Sequence, residues 1–109
     1  MSDAVLWVFV TATDADEARE IGRALVREQL AACVNILRGH TAIYRWGGTQ
    51  HESEEAAFIA KTTAGRFEAL RARIRALHSY DLPAIVALPV ATGDVEYLDW
   101  IRAQVAPAG

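Results

Sequence analysis

One cysteine and one lysine are all that this 109-residue chain contains of either type. A lone cysteine excludes an internal disulfide framework and any Cys-x-x-Cys redox or zinc motif. It agrees with a reducing compartment, and we expect a cytoplasmic protein. No apolar run approaches ~18 residues, so no transmembrane helix is expected. The start, Met1-Ser2-Asp3-Ala4, is acidic and lacks the basic region of a signal peptide. At a net charge of -3, with no basic block, direct nucleic-acid binding has no support. Gly-x-x-x-x-Gly-Lys and Gly-x-Ser-x-Gly are both missing, which removes a phosphate loop and a nucleophile turn. His40, His51 and His78 show no His-x-x-x-His spacing. The first loop, Thr11-Ala12-Thr13-Asp14, lacks the paired cysteines of a metallochaperone. Nothing in the chain names a reaction, and the expectation is a protein that is not an enzyme and requires no cofactor.

What is present is a core-forming sequence, with 52% hydrophobic and 23% charged residues. Its length suits one domain spanning residues 1–109. Val5 to Thr11 is continuously apolar and reads as a strand buried on both faces. Asp14 can cap a helix, with Glu17 completing a capping box. Ala18, Ile21, Gly22 and Leu25 form its inward stripe, and Arg19, Arg23 and Arg27 its solvent side. A second strand follows from Ala31 to Trp46 with no Gly or Pro between helix and strand, bent at Gly39-His40. Gly47-Gly48 and Thr49 make a turn, and a third strand runs from His51 to Thr62. Thr63 is placed to cap a second helix carrying Phe67, Leu70, Ile74 and Leu77. Pro83 begins a fourth strand through Val90. Asp94 caps a last helix with Leu98, Ile101 and Val105, and Pro107-Ala108-Gly109 reads as a frayed end. The order is α+β, a ferredoxin-like β-α-β-β-α-β antiparallel sheet with an extra C-terminal helix.

Such a sheet has helices on one face only. Yet the first strand alternates Leu6, Val8 and Val10 with Val5, Trp7 and Phe9, and the fourth sets Val86, Leu88 and Val90 opposite Ile85 and Ala87. Apolar residues on both faces need a second cover, which predicts association with other copies.

Period-two geometry puts Cys33 and Asn35 on one sheet face, and Ala32, Val34 and Ile36 on the other. In the third strand His51, Ser53, Glu55, Ala57, Ile59 and Lys61 share a face, with Ala56, Phe58 and Ala60 turned to the helices. Lys61 is the single lysine among 11 basic residues, so its site asks for an ammonium rather than a guanidinium. It reads either as an inter-subunit ion pair with Glu55 or Asp94, or as a ligand-binding group in a cleft. Cys33 reads either as a small core residue or as a thiolate in that cleft beside Lys61 or His78. Tyr44 and Trp46 share a face, and aromatic packing accounts for much of their role.

One ordered set of residues carries a resemblance over nearly the whole chain, from about Val5 to Val105. It comprises Leu30-Ala31-Ala32-Cys33-Val34-Asn35-Ile36, Tyr44-Arg45-Trp46-Gly47-Gly48, Glu54-Glu55, Lys61-Thr62-Thr63 and Leu77-His78-Ser79-Tyr80 with Pro83. Leu88-Pro89-Val90, Gly93 and Tyr97-Leu98-Asp99-Trp100 complete it. This set resembles the CutA1 family of divalent-cation-tolerance proteins. The resemblance implies a homotrimer associated with the response to metal ions, acting as a binding or scaffolding protein. The alternative it leaves open is a sensor similar to the trimeric PII-like signalling proteins, with a small molecule held between subunits. Positions matching the family's recurrent residues are Cys33, Trp46, Glu55, Lys61, His78 and Tyr80; with Tyr44 they make the expected ligand cleft. Some CutA1 proteins bind copper through a cysteine near the end of the first strand and two adjacent histidines before the loop that follows the second helix. Val10 and Leu77 stand at two of those places and only His78 is kept, which implies weak binding of a divalent metal such as copper. Ser79 also replaces the family's usual proline between His78 and Tyr80, loosening that loop.

Overall fold

The elements follow the expected order in the computed structural model, which describes residues 3–107. Met1, Ser2, Ala108 and Gly109, including most of the segment read as a frayed end, lie outside the described residues. The strands are β1 (Val5–Ala12), β2 (Cys33–Trp46), β3 (Thr49–Thr63) and β4 (Ile85–Pro89). The helices are α1 (Ala15–Arg27), α2 (Phe67–Leu77) and α3 (Val95–Val105). The sheet is wholly antiparallel in the order β2-β3-β1-β4, the ferredoxin-like arrangement.

Local chemistry explains most of the boundaries. Asp14 caps α1 by accepting from the Glu17 N–H at 2.8 Å, which satisfies one of the helix's orphan donors. Gly47 and Gly48 both take positive φ, 60° and 77°, so β2 and β3 are joined by a two-residue turn and β3 begins at Thr49. Paired positive φ values match the right-handed twist of the flanking strands. The bend at Gly39-His40 is a register shift between Leu37 and His40 in the β2–β3 ladder.

Three expectations change. The passage from α1 to β2 is punctuated after all: Gln29 takes φ 60° just past the helix end, a position usually given to glycine. Thr63 makes no side-chain cap for α2. A 3-10 turn over Ala64–Arg66 intervenes, and the Gly65 N–H is held instead by the Asp3 carboxylate at 3.1 and 3.2 Å. The fourth strand is shorter than read, five residues in place of Pro83 to Val90.

The helix-facing rows of the sheet form the core. Across β2, β3, β1 and β4 they run Val34–Ala60–Val8–Ala87 and Ile36–Phe58–Val10–Ile85. Phe58, Val8, Val10, Leu25, Leu70 and Ile74 are fully buried there. Gly22 brings α1 close to β2, since a Cβ at that position would sit 3.0 Å from a Val34 methyl.

The opposite face reads Cys33–Lys61–Trp7–Leu88 and Asn35–Ile59–Phe9–Val86. Part of it is covered by α3, which packs on β3 and β1 and buries Ile101, Val105 and Val5 outside the main core. The rest stays open, with Trp7 41%, Val86 54% and Leu88 53% exposed. Among the described residues no helix is long and apolar enough to cross a membrane.

Phe58 is fully buried in the core. Truncating it by Phe58→Ala is expected to cost about 3–5 kcal/mol, read as a fall in the urea midpoint with an unchanged slope.

Candidate functional site

The residues singled out from sequence separate into two groups on the same sheet face. Lys61 and Glu55 lie six positions apart on β3, roughly 20 Å at a strand's rise per residue. They do not meet within one chain.

At one end, register places Cys33 directly opposite Lys61 and Trp7 on its other side. The Lys61 Nζ donates to Asn35 Oδ1 at 2.5 Å and lies 3.8 Å from Cys33 Sγ. It also stands 5.3 Å from the Trp7 ring centroid and 5.9 Å from that of Tyr97. The side chain is 9% exposed, yet among the described residues no carboxylate lies within ion-pair distance of it. Neither Glu55 nor Asp94 is its partner in the chain. Two aromatic faces and an amide oxygen therefore stabilise a buried cation whose desolvation costs several kcal/mol. Trp7 and Tyr97 are the residues that sequence reading missed here. The parity of Trp7 could have suggested it; Tyr97 could not be placed until α3 was seen on the open face.

At the other end, Glu55 is held by Tyr80, whose hydroxyl donates to its Oε2 at 2.6 Å. His40 Nε2 approaches Oε1 at 3.4 Å. Burial, then the hydrogen bond to Glu55 and its negative charge, push the Tyr80 phenol up to about 12. It keeps its proton at neutral pH and acts as a donor. Trp46 and the stacked pair Tyr44 and His51, with centroids 5.6 Å apart, extend this group along the hairpin. Together with Ser53, Glu55, Tyr80 and Asp81 they line a cleft of about 630 Å³.

His78 sits behind the cleft with its side chain fully buried. Its Nδ1 accepts the Tyr80 N–H at 3.0 Å, so the ring proton is on Nε2 and donates to the Thr11 carbonyl at 2.6 Å. Both nitrogens are engaged, and the neutral ring leaves no lone pair for a metal in this arrangement. Its 3.9 Å contact with Glu17 is accordingly not an ion pair. No group of three or more His, Cys, Asp and Glu that could hold a metal occurs among the described residues. The side chains present do not fit a copper site of the family's three-ligand type.

Glu17 anchors this segment. One carboxylate oxygen accepts from Thr13 N–H and the other from Ser79 N–H, both at 2.9 Å. The expected capping box is thus only half made: Asp14 accepts the Glu17 N–H, but the Glu17 carboxylate bonds the residue before the cap and the segment after α2. Burial pushes its pKa up, but the bonds from Thr13 and Ser79 outweigh burial and hold it below the ordinary 4.5. A depressed folded value adds stability above the unfolded pKa, and that contribution is lost as pH falls through the folded value. Glu17→Gln should therefore lose about 1.5–3 kcal/mol at pH 7 and show a smaller further loss on acidification than the wild type. Urea melts at pH 7 and pH 3 check both.

The chain's matches agree with this arrangement. The family described as "CutA1 divalent ion tolerance protein" matches residues 6–104. The divalent-cation tolerance protein CutA of Thermus thermophilus is 52% identical over 95 residues, covering 87% of this chain and 92% of that protein. Human Protein CutA is 40% identical over 94 residues, 86% of this chain, which spans only about half (52%) of the human protein's length. The solved structure of the Thermus thermophilus divalent cation tolerance protein superposes with a TM-score of 0.91 at 48% identity, covering 94% of this chain and 99% of that one. Continuous likeness of this extent, on a sheet that sets Lys61 against Cys33 and Glu55 against Tyr80, places the chain in the CutA1 family of divalent-cation tolerance proteins.

Proposed function

We propose that this chain acts in divalent-cation tolerance as a homotrimeric cytoplasmic binding protein, with a ligand cleft completed between subunits and no catalytic step of its own. The observation that carries the reading is the open apolar sheet face. Trp7, Val86 and Leu88 lie together on the part of that face that α3 leaves open, each at least two-fifths exposed. A soluble monomer rarely presents such a surface. The hairpin formed by β2 and β3, 14 and 15 residues long, also carries exposed Ile43 and Trp46 well beyond the helices. Burying both regions needs neighbours around a closed axis, because head-to-tail contacts that do not close give filaments.

The same closure supplies what each end of the sheet lacks. One protomer's Cys33, Asn35 and Lys61 carry a buried cation without a counter-charge. The other end carries Glu55, Tyr80, Tyr44 and Trp46 around an open cleft. Bringing the two ends together across a subunit boundary makes one continuous site, in which His78 orients the Tyr80 segment. Membership of the CutA1 family leaves the PII-like sensor without an observation of its own.

Light scattering at micromolar concentration is expected to give three times the subunit mass. Leu88→Glu puts a carboxylate on the open face at the β4 edge, and it should shift the species to monomer while far-ultraviolet circular dichroism stays unchanged. A stable, folded wild-type monomer removes the proposal.

Divalent metal binds weakly on this reading, at exposed side chains. Calorimetry with Cu(II) should show no tight site of one ion per subunit. His78→Ala should lower the melting temperature, because two backbone groups lose buried partners, and should leave the Cu(II) isotherm as it was.

A further inference from the structure

We propose that the cleft beside Glu55 and Tyr80 takes a small organic cation, an amine or amidinium carried on a flat apolar body. The proposal rests on the reading of this cleft as a ligand site and adds the class of ligand. Strand parity turns Tyr44, Trp46, Ser53 and Glu55 into the cleft, and the segment after α2 adds Tyr80 and Asp81. The charged side chains that line it are Glu55 and Asp81, with Glu54 and Arg45 at its border; Glu54 accepts from the Thr41 hydroxyl at 2.7 Å. Glu17 adds to the negative field behind them, since it and Glu55 both act to hold the proton on Tyr80. The C-terminal end of α2 opens onto the same segment, and helix C-termini carry partial negative charge. Arg45 borders the cleft from the opposite strand face, and its guanidinium is tied to the Gly48 carbonyl at 3.0 Å. Within one subunit an anion entering here would meet three carboxylates against the single guanidinium of Arg45; an organic cation meets net negative charge and aromatic rings.

The aromatic walls choose between kinds of cation. The faces of Tyr44, Trp46 and Tyr80 attract a positive charge through the ring quadrupole, and a phenol that donates to a carboxylate has a more electron-rich ring. A bare divalent ion needs several oxygen or nitrogen ligands at close range. The carboxylates of Glu54, Glu55 and Asp81 line the cleft but form no three-member donor group among the described residues, so the cleft does not supply them.

Three probes of nearly identical shape separate charge from fit: benzamidine (cationic), benzamide (neutral) and benzoate (anionic). Each is titrated into the full chain and followed by the backbone amide signals of Tyr44, Glu55 and Tyr80, with light scattering on the same samples. Benzamidine is expected to shift these signals saturably and to bind at least about tenfold more tightly than benzamide, with benzoate weakest. Glu55→Gln should weaken benzamidine by about tenfold, and Asp81→Asn, on an exposed loop, should weaken it without disturbing the Tyr80 bond. Benzoate or benzamide binding as well as benzamidine at the same amides overturns the cation and leaves the cleft a ligand site. Benzamidine binding unchanged in both variants overturns it too. If no probe moves the cleft signals in a sample that scatters as a trimer, the site is lost and the assembly stands. If benzamidine binds only after Lys61→Met, the cation that belongs there is Lys61 of a second copy, and the proposal fails.

Discussion

The ladder between β1 and β3 governs where the other parts of the molecule end up. Val5–Ala12 pairs residue for residue with Ala56–Thr63 at the middle of the sheet, so each side of one strand meets a defined side of the other. A slip of β3 by one residue would turn Phe58 outward and carry Lys61 into the helix-packed core. The apolar demand of the helix-facing row forbids that slip. The pairing of Lys61 with Trp7 on the far face is then a by-product of packing on the near one. A core constraint thus sets a polar site without any contact between them.

That dependence also separates what could be read in the chain from what could not. The alternation of Ala56, Phe58 and Ala60 against Glu55, Ile59 and Lys61 is local, and so the faces were legible. Asp14, Asp94 and Gly47-Gly48 likewise act through their immediate neighbours. Gln29 was not legible, because its positive φ is imposed by α1 and β2 pulling the chain into a short connection. The cap on the 3-10 turn was missed because Asp3 supplies it from 62 residues away. Of the expected site, the shared face of Cys33 and Lys61 follows from parity. The separation of Lys61 from Glu55 along the strand was already present in the numbering. The bond from Tyr80 to Glu55 bridges elements with no local signal in common.

Glu17 illustrates how a helix start can serve a distant segment. Its N–H donates to the Asp14 cap, and its carboxylate holds Thr13 and Ser79 together. The loop in which Ser79 stands where relatives of this kind usually have proline is thereby tethered by an N–H that proline would not possess. Rigidity given up in the backbone is partly returned as a hydrogen bond, and the orientation of His78 and Tyr80 depends on it.

Lys61 has one more consequence. The chain's sole ε-amine is almost wholly covered, so every basic side chain that meets solvent is a guanidinium or an imidazole. Acylating agents, reactive sugars and lysine-modifying enzymes that need a side-chain amine find none accessible on this surface. The outer charge of the folded protein is therefore insulated from the modifications that most commonly rewrite a protein's electrostatics. Only unfolding, or a change at the Trp7 and Tyr97 rings, brings that amine within their reach.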